Sequence, residues 1–254
     1  MLQAGEGRKL VEALWGGVAF NPDGVVAAAD VNMTKATATD FDVILWPWDK
    51  MNQRLFARRS GELIMFTAGS GSGKSTFIRE MIHNDLEEGH KVGVLMLEEG
   101  VTDTLHDLMS LRINKPIRKI MASRAINQIL APRDKAIDFG VVDDLSDEEY
   151  NEAHAALVAD KRLYLYDHFG STDGDALVNK IRYMVTGLGC KTIYLDHISI
   201  VISGNETGDE RKDIDILMTN LRSLVEETNC NLVAVSHLRK TNGRAYEEGG
   251  RVTS

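Results

Sequence analysis

Cysteine and proline are scarce in this 254-residue sequence, with 2 and 4 copies. Cys190 and Cys230 lack the spacing of metal ligands, and each stands just before an apolar run that reads as a buried strand, so both are expected as reduced thiols of the core. With 43% hydrophobic and 26% charged residues, the composition is that of a globular chain and argues against disorder. Long hydrophobic runs are also missing: no window approaches the roughly 18 uninterrupted apolar residues that span a bilayer. The N-terminus has no basic-then-apolar signal pattern, so a cytosolic protein with no membrane partner is expected. There is no excess of positive charge either. The formal net charge is −9 and the pI about 5.3, so no global field attracts nucleic acid and any such site must be local. No internal repeat or low-complexity tract is present.

What remains is the pattern of an α/β core with a short appendage. Residues 1–60 alternate apolar stretches (Val25 to Ala29, Phe41 to Trp48) with turn formers such as Asn21-Pro22-Asp23-Gly24, and read as an accessory segment or linker. Trp46-Pro47-Trp48 is expected to pack this linker on the core. Residues 61–254 read as the core. Apolar runs of strand length, Leu63 to Thr67, Val92 to Leu97, Leu163 to Tyr166, Thr192 to Leu195 and Leu232 to Val235, are separated by stretches of helical periodicity. Helices are expected near Thr76 to Glu88, Thr102 to Ile113, Asp147 to Ala159, Asp173 to Leu188 and Arg211 to Thr228. Strands this apolar are covered on both faces, which predicts a mainly parallel central sheet flanked by helices.

The first strand runs into Ala68-Gly69-Ser70-Gly71-Ser72-Gly73-Lys74-Ser75-Thr76, which opens a helix. Strand before and helix after are the context that makes such a run a phosphate-binding loop, with Ala68 where the strict form has glycine. The glycines let backbone N–H groups converge on a β-phosphate, the helix dipole adds positive potential, and Lys74 reaches the β- and γ-phosphates. Residues Gly69 to Thr76 are therefore expected to bind ATP or another nucleoside triphosphate, with Ser75 offering its hydroxyl to Mg²⁺.

Three further strand ends complete the site. The strand after the P-loop helix ends in Glu98-Glu99. Glu98, continuing the strand, is expected to face the γ-phosphate and act as general base, as in RecA-like ATPases, and Glu99 to be a surface acid near a helix start. Thr192-Ile193-Tyr194-Leu195-Asp196 suits a Walker B strand whose Asp196 holds Mg²⁺ directly or through water. Leu232-Val233-Ala234-Val235-Ser236 ends in His237, placed to sense the γ-phosphate.

Gly61-Glu62-Leu63, the P-loop, Leu97-Glu98-Glu99, Gly187-Leu188-Gly189-Cys190, Leu195-Asp196-His197-Ile198-Ser199-Ile200-Val201, Asp209-Glu210-Arg211-Lys212 and Ser236-His237-Leu238 occur in this order. Together they resemble the helicase domain of short-tailed-phage primase-helicases, relatives of bacterial replicative and mitochondrial DNA helicases. The likeness spans roughly residues 48 to 254. It implies a RecA-like P-loop fold and a ring, usually a hexamer of copies of the chain. Such a ring hydrolyses nucleoside triphosphate at subunit interfaces, moves on single-stranded DNA to unwind duplex, and works with other replication proteins. In that family the histidine matching His237 links the γ-phosphate to a DNA-contacting loop, occupied here by Arg239, Lys240 and Arg244. Three cations in one loop suit a DNA backbone, and a ring would gather such loops in one channel.

Two departures shape the expectation. Residues 1–60 contain no cysteine pairs and no clustered acids of a primase, so priming activity is not expected. The chain stops 17 residues after His237, whereas family members continue to a second DNA loop and an arginine finger, which predicts slow turnover. The competing classes are a RecA-type recombinase or regulatory DNA-dependent ATPase, separable by strand-exchange and fork-unwinding assays, and a nucleotide-binding module without turnover, separable by phosphate release.

Overall fold

The structure, a computed structural model, describes residues 28–30, 42–69, 71–167, 173–203 and 210–237; at residues 202, 203, 210, 211 and 237 it describes the backbone alone. The chain divides into two compact units, Met1–Phe41 and Asp42–Ser254. In the first, Ala28–Asp30 form a turn of 3-10 helix.

The second unit opens with β1 (Val43–Ile44), α1 (Asp49–Leu55) and β2 (Arg58–Arg59), the two short strands pairing antiparallel. Then come β3 (Leu63–Ala68), α2 (Lys74–Glu87), β4 (Val92–Met96), α3 (Val101–Ile113), α4 (Ile117–Leu130) and α5 (Asp147–Val158). The remainder is β5 (Leu163–Leu165), α6 (Gly174–Thr186), β6 (Thr192–Asp196), α7 (Ile198–Ser203), α8 (Glu210–Thr228) and β7 (Asn231–His237). Strands β3 to β7 form one wholly parallel sheet in the order β3-β7-β6-β4-β5. All five apolar runs are strands of it, as expected.

A strand alternates its side chains, so each run feeds both faces of the sheet. On one face Leu95, Ile193, Leu195, Leu232 and Ala234 pack with Leu177 and Ile181 of α6 and with Leu221, Leu224 and Val225 of α8. On the other, Val92, Val94, Met96, Tyr194, Val233 and Val235 pack with Ile78, Met81 and Ile82 of α2, Leu108 of α3 and Ile117 of α4. Each fully buried valine, leucine, isoleucine or methionine among them contributes about 1.5–3 kcal/mol by leaving water. Gly93 in β4 is required by close approach: a Cβ there would lie 2.7 Å from Cδ1 of Ile193 and 2.8 Å from Sδ of Met184.

Helix starts follow local capping chemistry. Ser146 and Glu149 form a reciprocal capping box at α5, and Oδ1 of Asp173 accepts from the Ala176 N–H at 2.7 Å to cap α6. The helix α4 was not expected from the sequence. Only Ile117 and Ile120 of it are buried, so its first turn alone carries a core-facing pattern.

Trp46 and Trp48 belong to the unit that starts at Asp42. Trp46 is buried and meets Phe66 edge-on at 6.1 Å, and Trp48 stacks on Phe77 at 4.5 Å, so both pack on the core as expected. Cys190 and Cys230 are free and buried, and burial pushes the Cys190 thiol up to about 11 and raises that of Cys230. Among the described residues no helix is long and apolar enough to cross a membrane.

Candidate nucleotide-binding site

Because β3, β7, β6 and β4 run parallel, their carboxyl ends share one edge of the sheet. Ala68 lies in register with His237, and Met96 with Asp196. The four sequence-predicted positions therefore fall at one edge: the P-loop after β3, His237 ending β7, Asp196 ending β6 and Glu98 just past β4. Ligands of open α/β sheets bind at such an edge.

The loop between β3 and α2 turns through Gly71 and Gly73, at φ +79° and +86°, a region that L side chains enter only with strain. Gly73 caps α2, whose first residue is Lys74, so the unpaired N–H groups of the first turn face the loop. Lys74 Nζ donates to the carbonyls of Ala68, at 3.0 Å, and Gly69, which holds the ammonium over the loop, and Ser72 Oγ donates to the Gly69 carbonyl at 2.8 Å. Thr76, on the first turn of α2, is exposed. Ser70, Arg239, Lys240 and Arg244 lie outside the described residues, as does the side chain of His237.

Ser75 Oγ donates to Asp196 Oδ2 at 2.6 Å, joining the P-loop helix to the end of β6, and Asp196 is 4% exposed. Two hard oxygens side by side at the mouth of a phosphate loop fit Mg²⁺, which takes one or two protein oxygens and completes its shell with waters and substrate phosphates. Among the described residues no group of three or more His, Cys, Asp and Glu could hold a metal unaided.

Glu98 and Glu99 part company. Glu98 is half exposed and its Oε1 lies 2.7 Å from Nε2 of His197. Glu99 corrects the expectation of a surface acid. Its side chain is 14% exposed, accepts from Arg79 at 2.5 Å and from Thr104 Oγ1 at 2.9 Å, and lies 3.7 Å from Arg118. Arg79 belongs to α2 and also reaches Asp107 of α3, so Glu99 clamps the end of β4 between two helices. Glu99 is thus held from several sides, whereas Glu98 has only part of its carboxylate engaged and is half exposed.

Sequence reasoning missed Arg79 and His197. An arginine five residues into a helix reads as surface, and His197 stands out in the sequence only as one member of a family block. Also missed is a wholly buried group behind the site, where Arg58 donates from Nη1 to Asp85 Oδ2 at 3.1 Å and to the Tyr194 hydroxyl at 2.8 Å. Tyr194 in turn donates to Asp85 at 2.6 Å. Burial, with the Asp85 carboxylate beside it, holds the Tyr194 phenol well above its ordinary range, so it stays neutral and donates.

A family model, the DnaB-like helicase C terminal domain, matches residues 47–248. The DNA helicase/primase of Enterobacteria phage T3 is 39% identical over 255 residues, covering 98% of this chain and 42% of that protein. The chain thus spans less than half the length of that relative. Among solved structures, a DnaB-like replicative helicase, solved in a study of its interactions with primase, aligns with a TM-score of 0.57 at 15% identity over 92% of this chain and 53% of its own. A KaiC-like protein from Pyrococcus horikoshii OT3 gives 0.51 at 19% over 82% and 76%. A further solved ATPase domain gives 0.57 at 15% over 83% and 72%. At such identities these structures speak for the fold, which is RecA-like.

Proposed function

This chain belongs to the DnaB-like helicase C-terminal domain family, and from that premise we propose that it is the motor of a replicative DNA helicase, coupling nucleoside triphosphate hydrolysis to movement on single-stranded DNA and duplex unwinding. The observation that carries the reading is the 2.6 Å contact between Ser75 and Asp196, with Glu98 at the end of the adjacent strand. It unites a phosphate loop, a metal-binding oxygen pair and a candidate base at one edge of the sheet.

In this reading the amides of Gly69 to Thr76 cradle the phosphates and Lys74 balances the charge of the β- and γ-groups. Ser75 and Asp196 hold Mg²⁺, which when bound neutralises charge developing on the phosphate oxygens. Glu98 accepts a proton from the attacking water as its oxygen bonds to the γ-phosphorus; the bond from that phosphorus to the bridging oxygen breaks, releasing nucleoside diphosphate and phosphate. His237 reports the γ-phosphate to the loop carrying Arg239, Lys240 and Arg244, which contacts single-stranded DNA. The active form is a ring of copies of the chain, a hexamer, in the cytoplasm of the cell that makes it, where it meets other replication proteins.

The test compares two substitutions. Glu98→Gln should lower DNA-stimulated phosphate release by about 10²- to 10⁴-fold and leave binding of a non-hydrolysable analogue within about twofold. Lys74→Ala should lose the binding itself. Equal loss of nucleotide affinity in both would make Glu98 a binding or folding residue.

A further inference from the structure

A glutamate at a strand end can swing through several rotamers, and one that is half exposed has open solvent to swing into. Glu98 is 55% exposed at its side chain, yet its Oε1 is held at 2.7 Å by Nε2 of His197, whose side chain is 7% exposed. An ionised carboxylate only accepts hydrogen bonds, so the imidazole donates. The donor is itself rigidly placed. Leu97 N–H donates to the Asp196 carbonyl at 2.6 Å, carrying the β4–β6 ladder one step past its last paired residues, Met96 and Asp196. The next residue on each strand path is Glu98 on one side and His197 on the other. Asp196 and His197 are consecutive and their side chains diverge, one to Ser75 of the P-loop helix and the other to Glu98.

We propose that His197 is a positioning residue for hydrolysis: its buried imidazole fixes one oxygen of Glu98 so that the second can receive the proton of the attacking water, in register with the oxygen pair Ser75 and Asp196. This rests on the reading of Glu98 as the base. With its side chain 7% exposed, His197 meets the site through Glu98, whose oxygen its Nε2 holds. It ties base and metal-binding carboxylate to one short stretch of backbone, and the spacing between them is then set by the sheet.

The experiment is phosphate release by the whole chain with ATP, Mg²⁺ and saturating single-stranded DNA. It compares His197→Phe, His197→Gln, Glu98→Gln and the double variant of Glu98→Gln with His197→Phe. His197→Phe should lower kcat about 10- to 100-fold with KM for ATP changed by no more than about twofold, since misplacing a reacting group costs turnover and not binding. Gln, whose amide can donate from near the Nε2 position, should regain most of the loss. In the Glu98→Gln background His197→Phe should have no further effect, because the base it positions is gone. Thermal unfolding checks each variant; should His197→Phe fail to fold, His197→Asn, whose amide is too short to reach Glu98, takes its place. Losses that multiply in the double variant, or a raised KM at unchanged kcat, would overturn the proposal and leave Glu98 as base. Full turnover by Glu98→Gln alone would instead sink the reading of Glu98, and this proposal with it.

Discussion

Replacing Arg58 with methionine removes the cation from a site where Arg58, Asp85 and Tyr194 are all fully buried. In the native chain the Asp85 carboxylate receives both terminal nitrogens of Arg58 and the Tyr194 hydroxyl, and Arg58 Nη2 also donates to the Leu45 carbonyl at 3.0 Å. Methionine fills similar volume, so the main loss is electrostatic: Asp85 keeps one donor and loses its counter-ion. Breaking a buried pair from one side costs about 3–5 kcal/mol. For a unit of this size each kcal/mol moves Tm by about 2–4 °C, so the shift should be roughly 6–20 °C. The same bonds tie β2 and the end of β1 to α2 and β6, so the melting should stay a single step. The assay is thermal unfolding by far-ultraviolet circular dichroism for Arg58→Met, Asp85→Leu and the double variant. The double variant should recover most of the stability, since a stranded charge and not the absence of the pair is what destabilises. A drop below about 1 kcal/mol in Arg58→Met, or additive losses in the double variant, would refute the account of Asp85 as a buried ion held by Arg58.

The neighbouring phenol predicts a pH dependence. Folding raises the Tyr194 pKa, so the folded chain keeps a proton that the unfolded chain gives up; the contribution is intact below about pH 10 and is lost as pH climbs towards the folded value, and Tyr194→Phe should flatten that alkaline decline in urea melts. Cys190 and Cys230 should resist a thiol-specific reagent at mildly alkaline pH and react fully in denaturant, since both are buried with raised pKa; quick labelling of the folded chain would contradict the packing of that face. Charge reversal at Arg239 and Lys240 should weaken single-stranded DNA binding and lower the magnitude of its salt slope by about 0.7 for each phosphate no longer neutralised; an unchanged slope would remove the loop from the DNA path.

Much of the architecture is local and can be read along the chain. Runs such as Thr192 to Leu195 are too short for helices and too apolar for one-sided strands, so a sheet covered on both faces follows from composition and length. The P-loop is equally local, because a phosphate cradle is built from consecutive amides and a helix N-terminus. Strand order is different. That β7 lies between β3 and β6 depends on pairings across most of the chain, and no residue's periodicity encodes its neighbour.

The site divides along the same line. Lys74, Asp196 and Glu98 stand at the ends of recognisable elements, so their candidacy was visible in the sequence. Which atoms meet was not: Ser75 finds Asp196 across 121 positions of chain, His197 finds Glu98 across 99, and Arg58 finds Tyr194 across 136. A buried arginine, a histidine after an aspartate and a second glutamate after the first all read as surface residues until long-range packing supplies their partners. Element type follows from nearest-neighbour stereochemistry and the burial of alternate side chains, which the sequence determines alone. The pairing of charged and polar side chains is decided only when the sheet brings distant strand ends to one edge, because the hydrogen bonds that hold them there exist only in the folded chain.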